Sequence, residues 1–254
     1  MDEVFSQSKK FFSLPMEEKM KLLRNEKNRG YTPVLMNIWT PSIRYMVCAV
    51  TGDYKEGYYI GIEVSEDDPD SQKPFCGPNM WPCVVLWMAK RYLADMEGNY
   101  GEYHQEALEV ARKVSRLIAL ALELNFDYFD HPAMLGKPIA TLRLLHYEGI
   151  INASGCELFH LIVNISFRAF VVNLGDMLER WSNDIFRSTL HRVLVNGQER
   201  YSIAFFVEPN HDCIVGCLPT CQSENNPPKF PPIKCLDYLL QRYKDTHADL
   251  NSYK

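Results

Sequence analysis

Residues 173–209, NLGDMLERWSNDIFRSTLHRVLVNGQERYSIAFFVEP, constrain this chain more than any other stretch. They hold two runs rich in Val, Ile, Leu, Phe and Thr, at 186–195 and 200–207. Between the runs stands Val195-Asn196-Gly197-Gln198, a strong hairpin signal, because Asn and Gly accept the positive φ of a type I′ turn. With Asn196 and Gly197 as loop residues, 193 faces 200 and 191 faces 202. Opposed residues share a face and neighbours alternate. His191, Val193, Arg200 and Ser202 are thus expected on one face, with Leu190, Leu194, Tyr201 and Ile203 on the other. An imidazole, a guanidinium and a hydroxyl on one face suit a metal and a carboxylate.

This combination of Gly175-Asp176, Ser182-Asn183, His191-Arg192-Val193 and Arg200-x-Ser202 resembles the iron(II)/2-oxoglutarate-dependent dioxygenases of the isopenicillin N synthase-like superfamily. Phe11, Phe12, Leu14, Pro15, Glu17 and Lys19 near the start carry it too, as do residues 142–147 and the tail. The resemblance implies an α+β fold whose double-stranded β-helix (jelly-roll) core is incomplete and follows an N-terminal helical region. It divides the chain into an N-terminal dioxygenase region (1–136), a shortened β-core (137–224) and a C-terminal linker and helix (225–254). It makes His191 an iron ligand, Arg200 and Ser202 the clamp on the distal carboxylate of 2-oxoglutarate, and Tyr147 a further cosubstrate contact. The implied cofactors are Fe(II) and 2-oxoglutarate, and the implied activity is oxidation of a small organic molecule.

Three stretches depart from the pattern. Residues 34–50 and 83–90 are apolar where relatives are polar. The third departure bears on function. Non-haem iron oxygenases hold the metal with two histidines and a carboxylate, leaving positions for cosubstrate and oxygen. The family supplies the first two ligands as His-x-Asp between the Tyr147 strand and the Gly175-Asp176 turn. Here that interval reads EGIINASGCELFHLIVNISFRAFVVNL, with no His-x-Asp, and it is several tens of residues shorter than in relatives. His146-Tyr147-Glu148 and the lone His160 are the local substitutes, and each has a plain structural reading as well. A second reading follows: a truncated or splice-variant form, catalytically inactive, or a binding protein that cannot hold iron.

Elsewhere the pattern is helical. Residues 2–12, 100–124 and 236–250 have apolar positions at helical spacing, Pro15 followed by Glu17 and Glu18 opens a helix over 15–25, and 225–232, with four prolines, reads as a linker. A net charge of −5, with its largest basic cluster (19–29) interspersed with Glu26, gives no nucleic-acid footprint. No apolar run approaches a membrane span and Met1-Asp2-Glu3 opens no signal peptide. A cytoplasmic monomer is the expectation. Eight cysteines without a Cys-x-x-Cys pair read as reduced thiols. Cys213, Cys217 and Cys221 recur every fourth residue, but Pro219 interrupts a zinc-like spacing.

Overall fold

The computed structural model describes residues 1–34, 55–82, 90–149, 170–189, 191 and 198–246. Four strands, β1 (Gly30–Thr32), β2 (Glu56–Gly61), β3 (Ile139–Glu148) and β4 (Glu199–Glu208), form an antiparallel sheet in the order β1-β2-β3-β4. The central β3–β4 pair is in register over ten residues, from Ile139 opposite Glu208 to Glu148 opposite Glu199.

This register sorts the side chains into two walls, since successive residues of a strand point to opposite faces. Leu142, Leu144, Tyr58 and Ile60 form one wall, joined by Tyr201, Ile203 and Phe205. Against it packs α1 (Asp2–Phe12), which turns Val4, Ser8, Phe11 and Phe12 inward at helical spacing. Acidic Asp2 and Glu3 in its first turn and Lys9 and Lys10 in its last complement the helix dipole. The long α3 (Lys90–Ala121) reaches α1 and β4 on the same side. The other wall carries Arg143 and Tyr147 with Arg200, Ser202 and Phe206.

A second core lies at the far end of the sheet. There Ile139 meets Met177 and Trp181 of α4 (Asp176–Trp181), Phe129, Cys213 and Cys221, and Cys235 and Leu239 of α5 (Cys235–Thr246). The short β5 (Ile214–Val215) and β6 (Ile233–Lys234) pair beside it. Cys76, Cys213, Cys217, Cys221 and Cys235 are free thiols.

Several sequence expectations change in detail. The helix expected over 15–25 ends early, as α2 (Met16–Met20), because the Arg24 N–H donates to Tyr31 O (2.7 Å) and the Tyr31 N–H to Leu22 O (2.6 Å). α3 begins ten residues before residue 100, and Leu117 of its expected apolar stripe is 63% exposed. Residues 186–189 belong to no strand. Their donors turn to α4 and its flanks instead: Phe186 N–H to Ser182 Oγ (3.0 Å), Ser188 N–H to Glu179 Oε2 (2.8 Å) and Thr189 N–H to Leu174 O (3.0 Å). The expected Asn196-Gly197 turn, and the apolar runs at 35–50 and 83–89, lie outside the described residues.

Candidate functional site

β3 and β4 build the site through their odd-numbered and even-numbered positions respectively. Tyr147 stands directly opposite Arg200, Leu145 opposite Ser202, and Arg143 opposite Ala204. The Arg200 guanidinium lies 4.0 Å from the centre of the Tyr147 ring, and Tyr147 itself is buried. The neighbouring Glu199 does not engage this guanidinium. Its carboxylate accepts from Tyr201 (3.0 Å) and faces His146 Nε2 (3.0 Å), on the opposite wall. Arg200, Ser202 and Tyr147, drawn together from two sequence-distant strands, thus share one face.

An open cleft of about 2150 Å³ runs along β4 and over both its faces. On the face of interest it is lined by Arg143, Arg200, Ser202, Phe206, His191 and Asp176. His191 is exposed, with Nδ1 2.6 Å from the Thr189 carbonyl. A carbonyl only accepts, so Nδ1 is the donor in this contact, which leaves Nε2 as the ring nitrogen open to a metal. Asp176 begins α4 and accepts from Ser188 Oγ (2.6 Å) and Tyr238 OH (2.5 Å). Burial opposes its ionisation, yet these hydrogen bonds hold its carboxyl below the ordinary range.

Among the described residues, the other histidines are committed elsewhere. His146 projects from β3 to the wall opposite Arg200, with Nδ1 2.7 Å from Glu56 of β2. Lys19 (2.7 Å) and Tyr31 (2.5 Å) complete the coordination of that buried Glu56 carboxylate. The His146 ring also stacks on Tyr201 at 4.5 Å. His-x-Glu at 146–148 therefore faces away from the Arg200 cleft, because alternation along β3 fixes its side. His104 contacts the Ala140 carbonyl (3.3 Å), His211 the Pro74 carbonyl (2.7 Å), and His131 caps the Ala133 N–H (3.2 Å). His160 lies outside the described residues.

Sequence reasoning missed Arg143, Phe206 and Tyr243 of α5. The available signal was a lone arginine in an otherwise apolar strand run, TLRLLHY.

A sheet face offering a ring-supported guanidinium and a nearby hydroxyl to a cleft suits a small dicarboxylate, and comparison with known proteins identifies the class. Residues 1–83 match the N-terminal family of the non-haem dioxygenase in morphine synthesis, and residues 134–209 match the 2OG-Fe(II) oxygenase superfamily. Azadirone synthase LFS of Melia azedarach is 39% identical over 283 residues, covering 98% of this chain and 81% of that protein. Kihadalactone A synthase LFS of Citrus sinensis is 39% identical over 284 residues, with the same coverage. Among solved structures, that of a full-length Neurospora crassa protein in complex with alpha-KG superposes with a TM-score of 0.70 at 28% identity, covering 96% of this chain and 82% of that one. The chain belongs to the 2OG-Fe(II) oxygenase superfamily. It is an oxidoreductase of the non-haem iron, 2-oxoglutarate-dependent class acting on small organic molecules, and Fe(II) and 2-oxoglutarate are the cofactors of that class. No helix among the described residues is long and apolar enough to cross a membrane.

The two cofactors fit this chain unequally. Arg200, Ser202 and Tyr147 suit 2-oxoglutarate. For iron, no group of three His, Cys, Asp or Glu placed to hold a metal ion exists among the described residues. Residues 150–169 lie outside them, and their sequence contains only one histidine, His160, and one acid, Glu157, in no His-x-Asp order. The alignment with the Melia protein extends over 283 positions against a chain of 254 residues, so that relative carries segments without counterpart here. His191 therefore lacks, among the described residues, the partners that would complete an iron triad.

Proposed function

We propose that this cleft binds 2-oxoglutarate, with Arg200 and Ser202 holding the distal carboxylate and Tyr147 supporting the guanidinium. With Nδ1 engaged by the Thr189 carbonyl, Nε2 is the nitrogen of His191 that would take a metal. The single observation that carries this reading is the shared face of Arg200, Ser202 and Tyr147 in the β3–β4 register. Planar guanidinium–carboxylate contacts are charge-assisted and bidentate, contributing roughly 1.5–3 kcal/mol. Titration calorimetry with 2-oxoglutarate tests it: Arg200→Gln should weaken binding by roughly ten- to hundredfold. Equal affinity in the two proteins would sink the assignment. The organic substrate is of the kind converted by the two plant relatives, whose 39% identity extends over 98% of this chain.

A second reading rests on the missing His-x-Asp motif in 150–169. Under it this polypeptide binds 2-oxoglutarate without turning it over. Incubation with ferrous iron, 2-oxoglutarate and oxygen, followed by measurement of succinate, separates the two readings. Succinate above a His191→Ala control establishes turnover; equal, baseline yields establish the silent form.

A further inference from the structure

The two residues that flank Arg200 on β4 are both held by one imidazole on the opposite wall. His146 Nε2 lies 3.0 Å from the Glu199 carboxylate, and the His146 ring stacks on Tyr201 with centres 4.5 Å apart and planes 15° from parallel. Phe12 of α1 packs against both rings, 5.5 Å from His146 and 6.3 Å from Tyr201. At the other ring nitrogen, Nδ1 lies 2.7 Å from Glu56 Oε1 of β2. Lys19 of α2 and Tyr31 of β1 donate to the second oxygen of Glu56, and the field of Glu148, two residues along β3, reaches Tyr31. Lys9 of α1 stands over the Tyr201 ring at 5.6 Å, and its charge reaches Glu199.

Carboxylate oxygens only accept, and an imidazole donates from both nitrogens only as the imidazolium. The two acids thus hold a cation between them, and Lys19 answers the second charge. Removing the proton leaves a nitrogen lone pair against a carboxylate oxygen. Which acid then lets go is decided by burial. The Glu56 side chain is 1% exposed and tied to Lys19 and Tyr31, whereas that of Glu199 is 61% exposed and turns to water at little cost. Glu199 is joined to Arg200, so the contact that opens is the one beside the clamp. Alternation puts 199 and 201 on one wall and 200 on the other. A hold on the first two therefore fixes the base from which the Arg200 side chain reaches the cleft. We propose that His146 is a positioning residue for Arg200: its imidazolium holds Glu199 and Tyr201 on the far wall, and 2-oxoglutarate affinity falls when alkaline pH removes that proton. This rests on the reading of Arg200 as the cosubstrate clamp.

The test titrates the full chain with 2-oxoglutarate by calorimetry at about pH 6 and about pH 9, a window across which a histidine loses its proton. Wild-type affinity should fall about three- to tenfold over this window. It should stay level in His146→Gln, which cannot titrate, and in Glu199→Gln, whose amide can donate to a neutral imidazole. The Tyr201 hydroxyl is pushed up to about 12, by burial first, and lies outside the window. His191 and Glu208 line the same cleft and are present in every variant, so a fall that they cause persists in His146→Gln. Circular dichroism checks folding, and the exposed Glu199→Gln carries the test if His146→Gln is not folded. A wild-type affinity level across the window, or a fall that survives in the folded variants, overturns the proposal. Backbone hydrogen exchange over 199–202, corrected for the intrinsic rate, separates this failure from that of the clamp: protection should fall with pH in the wild type alone. If Arg200→Gln leaves 2-oxoglutarate affinity unchanged, the clamp reading fails. Protection lost in the wild type alone then upholds the hold of His146 on the strand, and protection equal in all variants overturns it.

Discussion

Arg200 holds its guanidinium 4.0 Å from the centre of the Tyr147 ring, directly across the β3–β4 ladder. The contact does more than add cation–π attraction. A long arginine loses rotamer freedom when it grips a ligand, and a ring already fixing its position removes part of that cost before binding. Tyr147→Ala should therefore weaken 2-oxoglutarate binding by roughly tenfold, whereas Tyr147→Phe, which keeps the π face, should stay within about twofold. Calorimetry in which alanine and phenylalanine behave alike would discard this role.

The wall behind β3 supports a stability prediction. Glu56 is 1% exposed and receives Lys19 at 2.7 Å, Tyr31 at 2.5 Å and His146 at 2.7 Å. Removing one partner of a buried ion pair leaves an uncompensated charge, which costs about 3–5 kcal/mol. Glu56→Ala should lower the unfolding free energy from urea titration by an amount of that order, and a loss below about 1 kcal/mol would refute the network's structural role.

Two carboxyls near the second core give opposite pH signatures. Glu208 has its pKa raised to about 7, by burial first and by Asp176 second, so folding favours its protonated form. Its stabilisation is fully present below the ordinary carboxyl range and fades as pH climbs through about 7. Glu208→Gln should thus remove a loss of stability, on the order of 1–3 kcal/mol, between about pH 5 and 8. Asp176 is depressed despite burial, through Ser188 and Tyr238, so its contribution holds above the ordinary aspartate pKa and is lost on acidification. Asp176→Asn should flatten the acid limb of the same profile. Denaturant titrations from pH 3 to 8 distinguish the two limbs, and a wild-type profile unaltered by either variant would contradict both assignments.

At Gly61 the backbone passes close beneath Arg29, and a Cβ there would overlap the guanidinium. That guanidinium cannot swing aside cheaply: it is 2% exposed and tied to the carbonyls of Phe75 (2.8 Å) and Lys27 (3.2 Å). Gly61→Ala should cost about 1–3 kcal/mol, measurable as a lowered thermal midpoint, although alanine ordinarily suits a strand better than glycine. An unchanged midpoint would mean that Arg29 has other places to go.

Much of the site's one-sidedness was legible in the sequence. Alternation in 200–207 separates Arg200 and Ser202 from Tyr201 and Ile203, and the walls divide along that line. The Arg-x-Ser and His-Arg-Val motifs pointed to the family, and the lack of His-x-Asp in 150–169 is a plain fact of the chain. The described partner of β4 was less legible. Sequence reading paired 200–207 with the run just before it, since local turn chemistry is what a sequence displays. The ladder described for β4 is with β3, about sixty residues earlier, and Phe186 and Ser188 give their N–H donors to Ser182 and Glu179.

The chain by itself determined which side chains alternate, which segments are helical, and that Arg200 and Ser202 stand two residues apart on one face. Only the tertiary structure decided that Tyr147 lies under Arg200, that Glu56 fixes His146 on the far wall, and that Tyr243 reaches back to Arg143 across 100 residues. The physical reason is range. Periodicity is set by backbone geometry within a few residues, whereas strand register and side-chain partners are settled by packing between segments far apart in sequence.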